Sequence, residues 1–222
     1  MKKINIAIDG PVASGKSTIA KILAEKLGYI HIDTGAMYRC VAYLALKNNV
    51  DFQDEQALIK IVEDNTIELT NDGRVLCNHQ DVTHEIRSNE VSAAASLVSV
   101  FSGVRKKLVK LQQKMALDKG VVMDGRDIGT VVLPDAELKI FQTASAESRA
   151  NRRYQENIKK GITTDFAQLV DEINRRDYAD THREASPLKK AKDAIELDTS
   201  HLSIEEVIQR IEKEIERITE ND

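Results

Sequence analysis

The chain has 222 residues, of which 41% are hydrophobic and 31% charged, and its net charge is −4. This composition excludes a disordered chain, and the length suits one α/β domain that carries insertions. The negative net charge gives no basis for general nucleic-acid binding, and no apolar run is long enough to span a membrane. We therefore expect neither nucleic acid nor a membrane as a partner.

The cysteines and the start of the chain predict a cytoplasmic protein. Cys40 and Cys77 are the only cysteines, and their spacing is not that of a metal or redox motif, which favours reduced thiols in the core. Met1-Lys2-Lys3 leads directly into the first predicted strand and leaves no room for a signal peptide. The solvated last helix gives no reason to expect a dimer, so we expect a monomer.

The first predicted elements enclose a motif of the form G-x-x-x-x-G-K-[ST]. Residues 4–8 predict a short buried strand, and helical periodicity follows the motif until Gly28. Strand, glycine loop and helix are the context that this phosphate-binding motif requires, whereas a chance glycine turn needs no such flanks. The predicted nucleotide-binding residues are Gly10, Pro11, Val12, Ala13, Ser14, Gly15, Lys16, Ser17 and Thr18.

The residue types in this P-loop (residues 10–18) suit the phosphates of ATP. Gly10 and Gly15 allow backbone N–H groups to converge on phosphate oxygens at the start of the helix. Lys16 is expected to reach the β- and γ-phosphates and to act in catalysis, and the Ser17 hydroxyl is expected to hold Mg²⁺.

Other residues that bear on a metal are few. The five histidines lack ligand spacing, which favours ordinary surface or core roles, so Mg²⁺ is expected to arrive with ATP. Asp33 and Asp124 both end predicted strands, and either is placed to orient the coordination shell of Mg²⁺. The sequence does not choose between them.

The middle of the chain changes character. A second strand over residues 29–32 and helices after Asp33 and Asp54 precede two short strands that flank Asn71-Asp72-Gly73, a hairpin signal. A third short strand is predicted at residues 81–83. This small antiparallel sheet inside a β/α pattern is interpreted as an insertion.

The remaining elements predict a parallel sheet. Helical periodicity extends over residues 89–119 and is interrupted near residue 102. Strands are predicted at residues 121–123, 138–141 and 194–197, and an arginine-rich segment at 147–192 separates the last two. The chain ends in a capped amphipathic helix. The predicted fold is α/β, with a five-stranded parallel sheet flanked by helices. Right-handed crossovers then bring the C-terminal ends of all strands to one edge, where ligands bind.

Arginines outside the P-loop predict a second phosphate site at that edge. Arg39, Arg105 and Arg126 can form bidentate hydrogen bonds to phosphate, although each alone is also compatible with a solvated surface position. A later cluster of charged residues is compatible with a lid over ATP or with a solvated pair of charged helices. Its members are Arg149, Arg152, Arg153, Arg175, Arg176, Asp180 and Arg183.

Three runs of this sequence resemble the bacterial cytidylate kinase family. They are Gly10 to Ser17, Asp33-Thr34-Gly35-Ala36-Met37-Tyr38-Arg39, and Asp124-Gly125-Arg126-Asp127-Ile128-Gly129-Thr130-Val131, and the similarity extends over essentially the whole chain. The resemblance implies a core of residues 1–64, 94–145 and 190–222, an insertion of about residues 65–93 that binds the nucleoside monophosphate, and a mobile lid of about residues 146–189.

The resemblance also implies substrates and roles. The substrates would be ATP with Mg²⁺ and CMP or dCMP, and Arg126, Arg152 and Arg153 join Lys16 as expected catalytic residues. Substrate-binding residues would be Thr34 near the base or sugar, Arg39 and Arg105 at the acceptor phosphate, Arg126 and Asp127 at the cytosine, and Asp180 and Arg183 at the ribose and base. Relatives often have Ser where this chain has Thr34.

Two other functions compete with this one. A P-loop kinase of the shikimate or gluconate type would need a site for a neutral hydroxyl acceptor, and the arginine set argues against that. A nucleotide-switched binding protein would need switch loops and a partner surface, and the sequence shows no sign of either.

Overall fold

The computed structural model describes residues 3–70, 72–159 and 161–220; Met1 and Lys2 of the predicted start and Asn71 of the predicted hairpin turn lie outside the described residues. The strands are β1 (Asn5–Asp9), β2 (Ile30–Asp33), β3 (Ile67–Leu69), β4 (Val75–Cys77), β5 (Gln80–Asp81), β6 (Val121–Gly125), β7 (Leu138–Thr143) and β8 (Ile195–Asp198). The helices are α1 (Lys16–Leu27), α2 (Thr34–Lys47), α3 (Glu55–Asp64), α4 (Asn89–Val98), α5 (Ser102–Met115), α6 (Ala146–Lys159), α7 (Phe166–His182) and α8 (Ile204–Glu220).

The central sheet has five strands in the order β2-β6-β1-β7-β8, and every neighbouring pair is parallel. The predicted α/β fold is therefore confirmed. Strand β1 lies in the middle and is buried along its whole length, as its apolar sequence indicates.

Alternating side chains of β1 serve the two faces of the sheet. Ile6 and Ile8 pack with the apolar stripes of α1 and α8, including Leu23 and Ile211. Ala7 points to the opposite face and packs with Met123 of β6. This alternation places helices on both faces and leaves the C-terminal edge of the sheet to the loops.

The predicted insertion contains a three-stranded antiparallel sheet in the order β3-β4-β5. The third strand was expected at residues 81–83 but lies at Gln80–Asp81. The difference arises because Asn78 and His79, with φ of 50° and 63°, turn the chain directly after β4. The apolar side of this sheet shares one hydrophobic cluster with α2, α3, α4 and α5.

The long helical segment after residue 88 is divided as expected, because α4 ends at Val98 and α5 begins at Ser102. Cys40 and Cys77 are buried free thiols, as predicted. Within the described ranges, no helix combines the length and the apolar character needed to cross a lipid bilayer.

Candidate active site

The P-loop connects the end of β1 to α1 and has the backbone that its glycines predict. Gly15 has a φ of +89°, and Ala13, although not a glycine, also has a positive φ of 57°. A Cβ at Gly10 would collide with the backbone oxygen of Gln142 on β7, so only glycine fits there.

Side chains from β7 and α6 hold the carbonyl groups of this loop. Gln142 Nε2 donates to the Ser14 oxygen at 2.5 Å, and Arg152 donates to the same oxygen at 2.9 Å. Arg149 donates to the Val12 oxygen at 3.1 Å. These hydrogen bonds fix the loop carbonyls, and an ordered loop of this kind can present its N–H groups to an anion.

Lys16 is buried, and its Nζ donates to the Pro11 oxygen at 3.2 Å. Burial, followed by the positive charge of Arg126, lowers the pKa of Lys16 to about 7, although Asp124 opposes the shift. Among the residues that the structure describes, no carboxylate forms an ion pair with Lys16, so this lysine is suited to an incoming phosphate, which would restore its charge.

Asp124, at the end of β6, links α1 to β2. Ser17 Oγ donates to its Oδ2 at 2.6 Å, and His31 Nε2 lies 2.8 Å from its Oδ1. Burial opposes a charge on His31, but the hydrogen bond to Asp124 raises the pKa of the histidine above its usual value. The oxygens of Ser17 and Asp124 are hard donors of the kind that Mg²⁺ prefers.

Asp33 has a different set of partners. It caps α2 by accepting from the Ala36 amide at 2.9 Å, and it pairs with Arg39 at 2.8 Å. Burial acts against ionisation, but Arg39 holds the pKa of Asp33 below its ordinary range. No hydrogen bond joins Asp33 to Ser17 in the described part of the chain.

The most enclosed ion pair joins Arg105 of α5 to Asp127, at 2.5 Å, with 4% and 7% of the side chains exposed. The Arg105 guanidinium also lies 5.3 Å from the centre of the Tyr38 ring. Burial raises the pKa of Tyr38 to about 12, although the positive charge of Arg105 opposes the shift. Arg105 was ambiguous in the sequence because three lysines surround it, but the structure buries it.

A second ion pair connects β6 to α7. Arg126 Nε donates to Asp180 Oδ2 at 2.7 Å, and Arg183 lies 3.7 Å from the other oxygen of this carboxylate. Burial opposes ionisation of Asp180, but Arg126 keeps the pKa of this aspartate below its usual value. The segment between β7 and β8 therefore closes over the strand ends.

These groups line one cavity of about 300 Å³. Of the predicted site residues, those on its wall are Val12, Ala13, Lys16, Ser17, Thr34, Arg39, Arg105, Arg126, Asp127, Arg153, Asp180 and Arg183. Arg39 Nε, Arg105 Nε and Arg183 Nη2 are buried and have no hydrogen-bond partner within the described residues. Arg39, Arg105 and Arg183 all line this one cavity, and such a concentration of guanidinium groups suits a multiply charged anion.

The other predicted residues lie at a neighbouring cavity or in the P-loop wall. Ser14, Gly15, Thr18 and Arg152 line an adjacent cavity of about 740 Å³ between the P-loop and the start of α8. Arg152 also donates to the Thr199 carbonyl, so its guanidinium is engaged with the backbone. Gly10 and Pro11 complete the loop between β1 and α1.

The sequence did not predict a role for Asp9, and it placed Arg149 in the arginine-rich cluster without predicting the contacts that this arginine makes. Asp9 is 4% exposed and accepts from the amides of Ile128 and Gly129 at 2.7 and 2.8 Å. Arg149 forms a bidentate pair with Asp177 at 2.9 and 2.5 Å. The only sequence signal for Asp9 is its place directly before the first P-loop glycine.

Comparisons with known proteins agree with this site. A family model described as cytidylate kinase matches residues 6–217. The chain is 56% identical to a cytidylate kinase of Bacillus velezensis, over 97% of this chain and 98% of that protein. It is 53% identical to a cytidylate kinase of Streptococcus pneumoniae, over 98% of this chain and 99% of that protein.

Solved structures share the fold at lower sequence identity. A gluconokinase from Sinorhizobium meliloti has a TM-score of 0.52 and 14% identity, over 99% of this chain and 95% of that one. An uncharacterised protein from Eubacterium ventriosum gives the same TM-score and identity over 96% and 99%. These likenesses show the fold alone, whereas the family match and the relatives show more: the chain belongs to the cytidylate kinase family.

Proposed function

We propose that this protein transfers the γ-phosphoryl group of ATP to CMP or dCMP, giving ADP and CDP or dCDP. The observation that carries the proposal is that Arg39, Arg105 and Arg183 line the same cavity as Lys16 and Ser17. Two sets of groups suited to phosphate in one cavity, the P-loop residues and the arginines, suit transfer between two nucleotides. Membership in the cytidylate kinase family supports the choice of acceptor.

The donor side is built from the P-loop. Its amides and Lys16 would bind the ATP phosphates, and nucleotide binding would restore the full charge of the lysine. Ser17 and Asp124 would hold Mg²⁺, which supplies neutralisation of charge on the phosphate oxygens when bound. Because Ser17 contacts Asp124 and not Asp33, we assign the metal role to Asp124.

The acceptor side is built from the arginines. Arg39 and Arg105 would bind the phosphate of CMP, and Asp180 holds Arg126 towards the transferred group. The attacking atom is an oxygen of the CMP phosphate, which is already anionic, so that no general base is required. Arg126 and Arg153, which both line the cavity, would neutralise charge that develops on the γ-phosphoryl oxygens.

Base recognition is assigned to the loop after β6. Asp127 would accept from the exocyclic amine of cytosine while Arg126 donates to the base, and Thr34 would lie near the base or sugar. Uracil presents an oxygen where cytosine has the amine, so two acceptors would face each other. A buried site penalises such a mismatch heavily because polar groups remain unpaired.

The movable parts follow from the same assignment. The predicted lid, residues 146–189, carries Arg153, Asp180 and Arg183 to the cavity and would exclude water from the γ-phosphoryl group. The predicted insertion, residues 65–93, would close over the monophosphate from the other side.

The test is ADP release from Mg·ATP with CMP, dCMP, UMP, AMP or shikimate offered separately, and with no acceptor as control. Turnover with CMP and dCMP that greatly exceeds every other reaction is the expected result. Equal turnover with UMP or AMP would refute the cytosine assignment. ADP release that does not depend on an acceptor would refute phosphoryl transfer to a nucleotide.

A further inference from the structure

Asp9 is a buried residue that stands before the P-loop in the chain and binds the loop after β6. It is the last residue of β1 and immediately precedes the P-loop, yet both of its hydrogen bonds go to a different loop. Both of its oxygens accept from backbone amides of the neighbouring strand connection, Oδ1 from Ile128 at 2.7 Å and Oδ2 from Gly129 at 2.8 Å. These two residues directly follow Asp127.

The segment that Asp9 holds has an unusual backbone. After Asp127, residues 128–132 form a single π-helical turn, a conformation that is rare and often found at functional sites. The side chain of Asp127 provides no capping hydrogen bond to this turn, because that carboxylate is engaged with Arg105. The first two amides of the turn are instead satisfied by Asp9.

The P-loop does not depend on this carboxylate to the same degree. Gln142 and Arg152 fix its Ser14 carbonyl, Arg149 fixes its Val12 carbonyl, and Lys16 donates to its Pro11 carbonyl. A change at Asp9 should therefore disturb the loop that carries Asp127 more than it disturbs the loop that binds ATP.

We propose that Asp9 is a positioning residue for base recognition: its carboxylate fixes the backbone of residues 126–129 so that Asp127 meets the acceptor base. The inference rests on the proposed function, because it assumes that Asp127 reads cytosine. Asp9 itself contacts neither substrate in this account.

The test compares Asp9→Asn with the wild type for ATP, CMP and UMP. The amide keeps the shape of the side chain, but its NH₂ group faces a backbone N–H, so one of the two hydrogen bonds is lost. We expect KM for CMP to rise about tenfold, which is the scale of one lost buried hydrogen bond, and the preference for CMP over UMP to fall. KM for ATP should change less than about twofold. Equal losses for all three nucleotides, or no change, would overturn the proposal.

Two controls keep the test decisive. Asp54→Asn is the matched variant, since Asp54 also accepts from a backbone amide, that of Ala57 at 3.0 Å, at the start of α3; it should leave both KM values and the selectivity unchanged. The second control is the nucleotide preference of the wild-type protein. A wild-type protein that does not prefer CMP would refute the proposed function, whereas a change caused by Asp9→Asn tests the role of Asp9.

A second variant approaches the same contact from the other side, in case Asp9→Asn does not fold. A Cβ at Gly129 would lie 3.4 Å from Asp9 Oδ2 and 3.2 Å from the Lys139 stem, so Gly129→Ala shifts the loop slightly and changes no charge. We expect the CMP preference to fall about threefold, as for a weakened hydrogen bond. An unchanged preference in Gly129→Ala would also overturn the proposal.

Discussion

Asp124 and Asp33, the two candidates for orienting Mg²⁺, differ in their hydrogen-bond partners. The two oxygens of Asp124 bind Ser17 and His31, whereas Asp33 is used to cap α2 and to hold Arg39. From the sequence both residues simply ended strands. The choice depended on which carboxylate lies next to the first turn of α1, and that is set by packing between strands that are distant in sequence.

Substitution of these two aspartates should have different effects. In Asp124→Asn, we expect the Mg²⁺ concentration for half-maximal activity to rise at least about tenfold, because a charged oxygen ligand is lost. In Asp33→Asn, we expect KM for CMP to rise and the Mg²⁺ requirement to stay near the wild-type value. Titration of Mn²⁺ binding to the nucleotide complex by electron paramagnetic resonance provides a measurement independent of turnover. The same metal dependence in both variants would contradict the assignment.

Titration of Asp9 should also make the free energy of unfolding depend on pH. Burial raises the pKa of Asp9 from 3.8 to about 6, although the amides of Gly129 and Ile128 oppose the shift. A carboxyl group with a raised pKa favours its protonated form in the folded state, so its contribution to stability is present below pH 3.8 and is lost as the pH rises through 6. A shift of this size corresponds to about 3 kcal/mol.

The Asp9→Asn variant isolates this contribution because asparagine does not titrate. The free energy of unfolding of the variant minus that of the wild type should increase by about 2 kcal/mol between pH 4 and pH 7.5. Urea unfolding at the two pH values measures this difference, in which the other titrating groups cancel. A difference that does not change with pH would mean that Asp9 is not held in the proposed environment.

Among the secondary-structure elements, the position of β5 could not be predicted because the β4–β5 turn carries a weak sequence signal. The turn consists of Asn78 and His79, which both have a positive φ, and a histidine at the second position is a weak turn signal. The hairpin with Asp72-Gly73 was recognised because it carries a glycine. The predicted position of the third strand was wrong for this reason.

The same turn gives a stability prediction. His79→Gly should increase the free energy of unfolding by about 0.5–1 kcal/mol, since glycine adopts a positive φ without a steric penalty. The matched control is His84→Gly, where the φ is −83° and glycine should destabilise. Thermal unfolding of the two variants checks both signs, and stabilisation by neither or by both would count against this interpretation of the turn.

Two arginines of α6 hold carbonyl groups of the P-loop, and the buried one, Arg149, also joins α6 to α7. Arg149 binds Asp177 of α7 with two hydrogen bonds and also donates to the Val12 carbonyl. Lysine cannot reproduce this geometry. We expect Arg149→Lys to raise KM for ATP about tenfold, as the loss of a charge-assisted hydrogen bond predicts. Arg175→Lys on the exposed side of α7 is the control, and an equal effect of both variants would exclude a specific role for Arg149.

At the scale of the whole molecule, the sequence predicted the parallel sheet and the P-loop because their signals are local. Apolar strands, glycines and capping residues each act within a few positions. The pairings of Arg105 with Asp127 and of Arg126 with Asp180 join residues 22 and 54 positions apart. No local pattern encodes such pairs, so they became visible only when the strand order had placed the loops together.

The central claim is direct transfer of the γ-phosphoryl group of ATP to the phosphate of CMP. The most direct measurement uses ATP with a radiolabelled γ-phosphoryl group, unlabelled CMP and Mg²⁺, followed by separation of the products. We expect the label to appear in CDP in a one-to-one ratio with the ADP formed. Label recovered as inorganic phosphate, or CDP that contains no label, would contradict it.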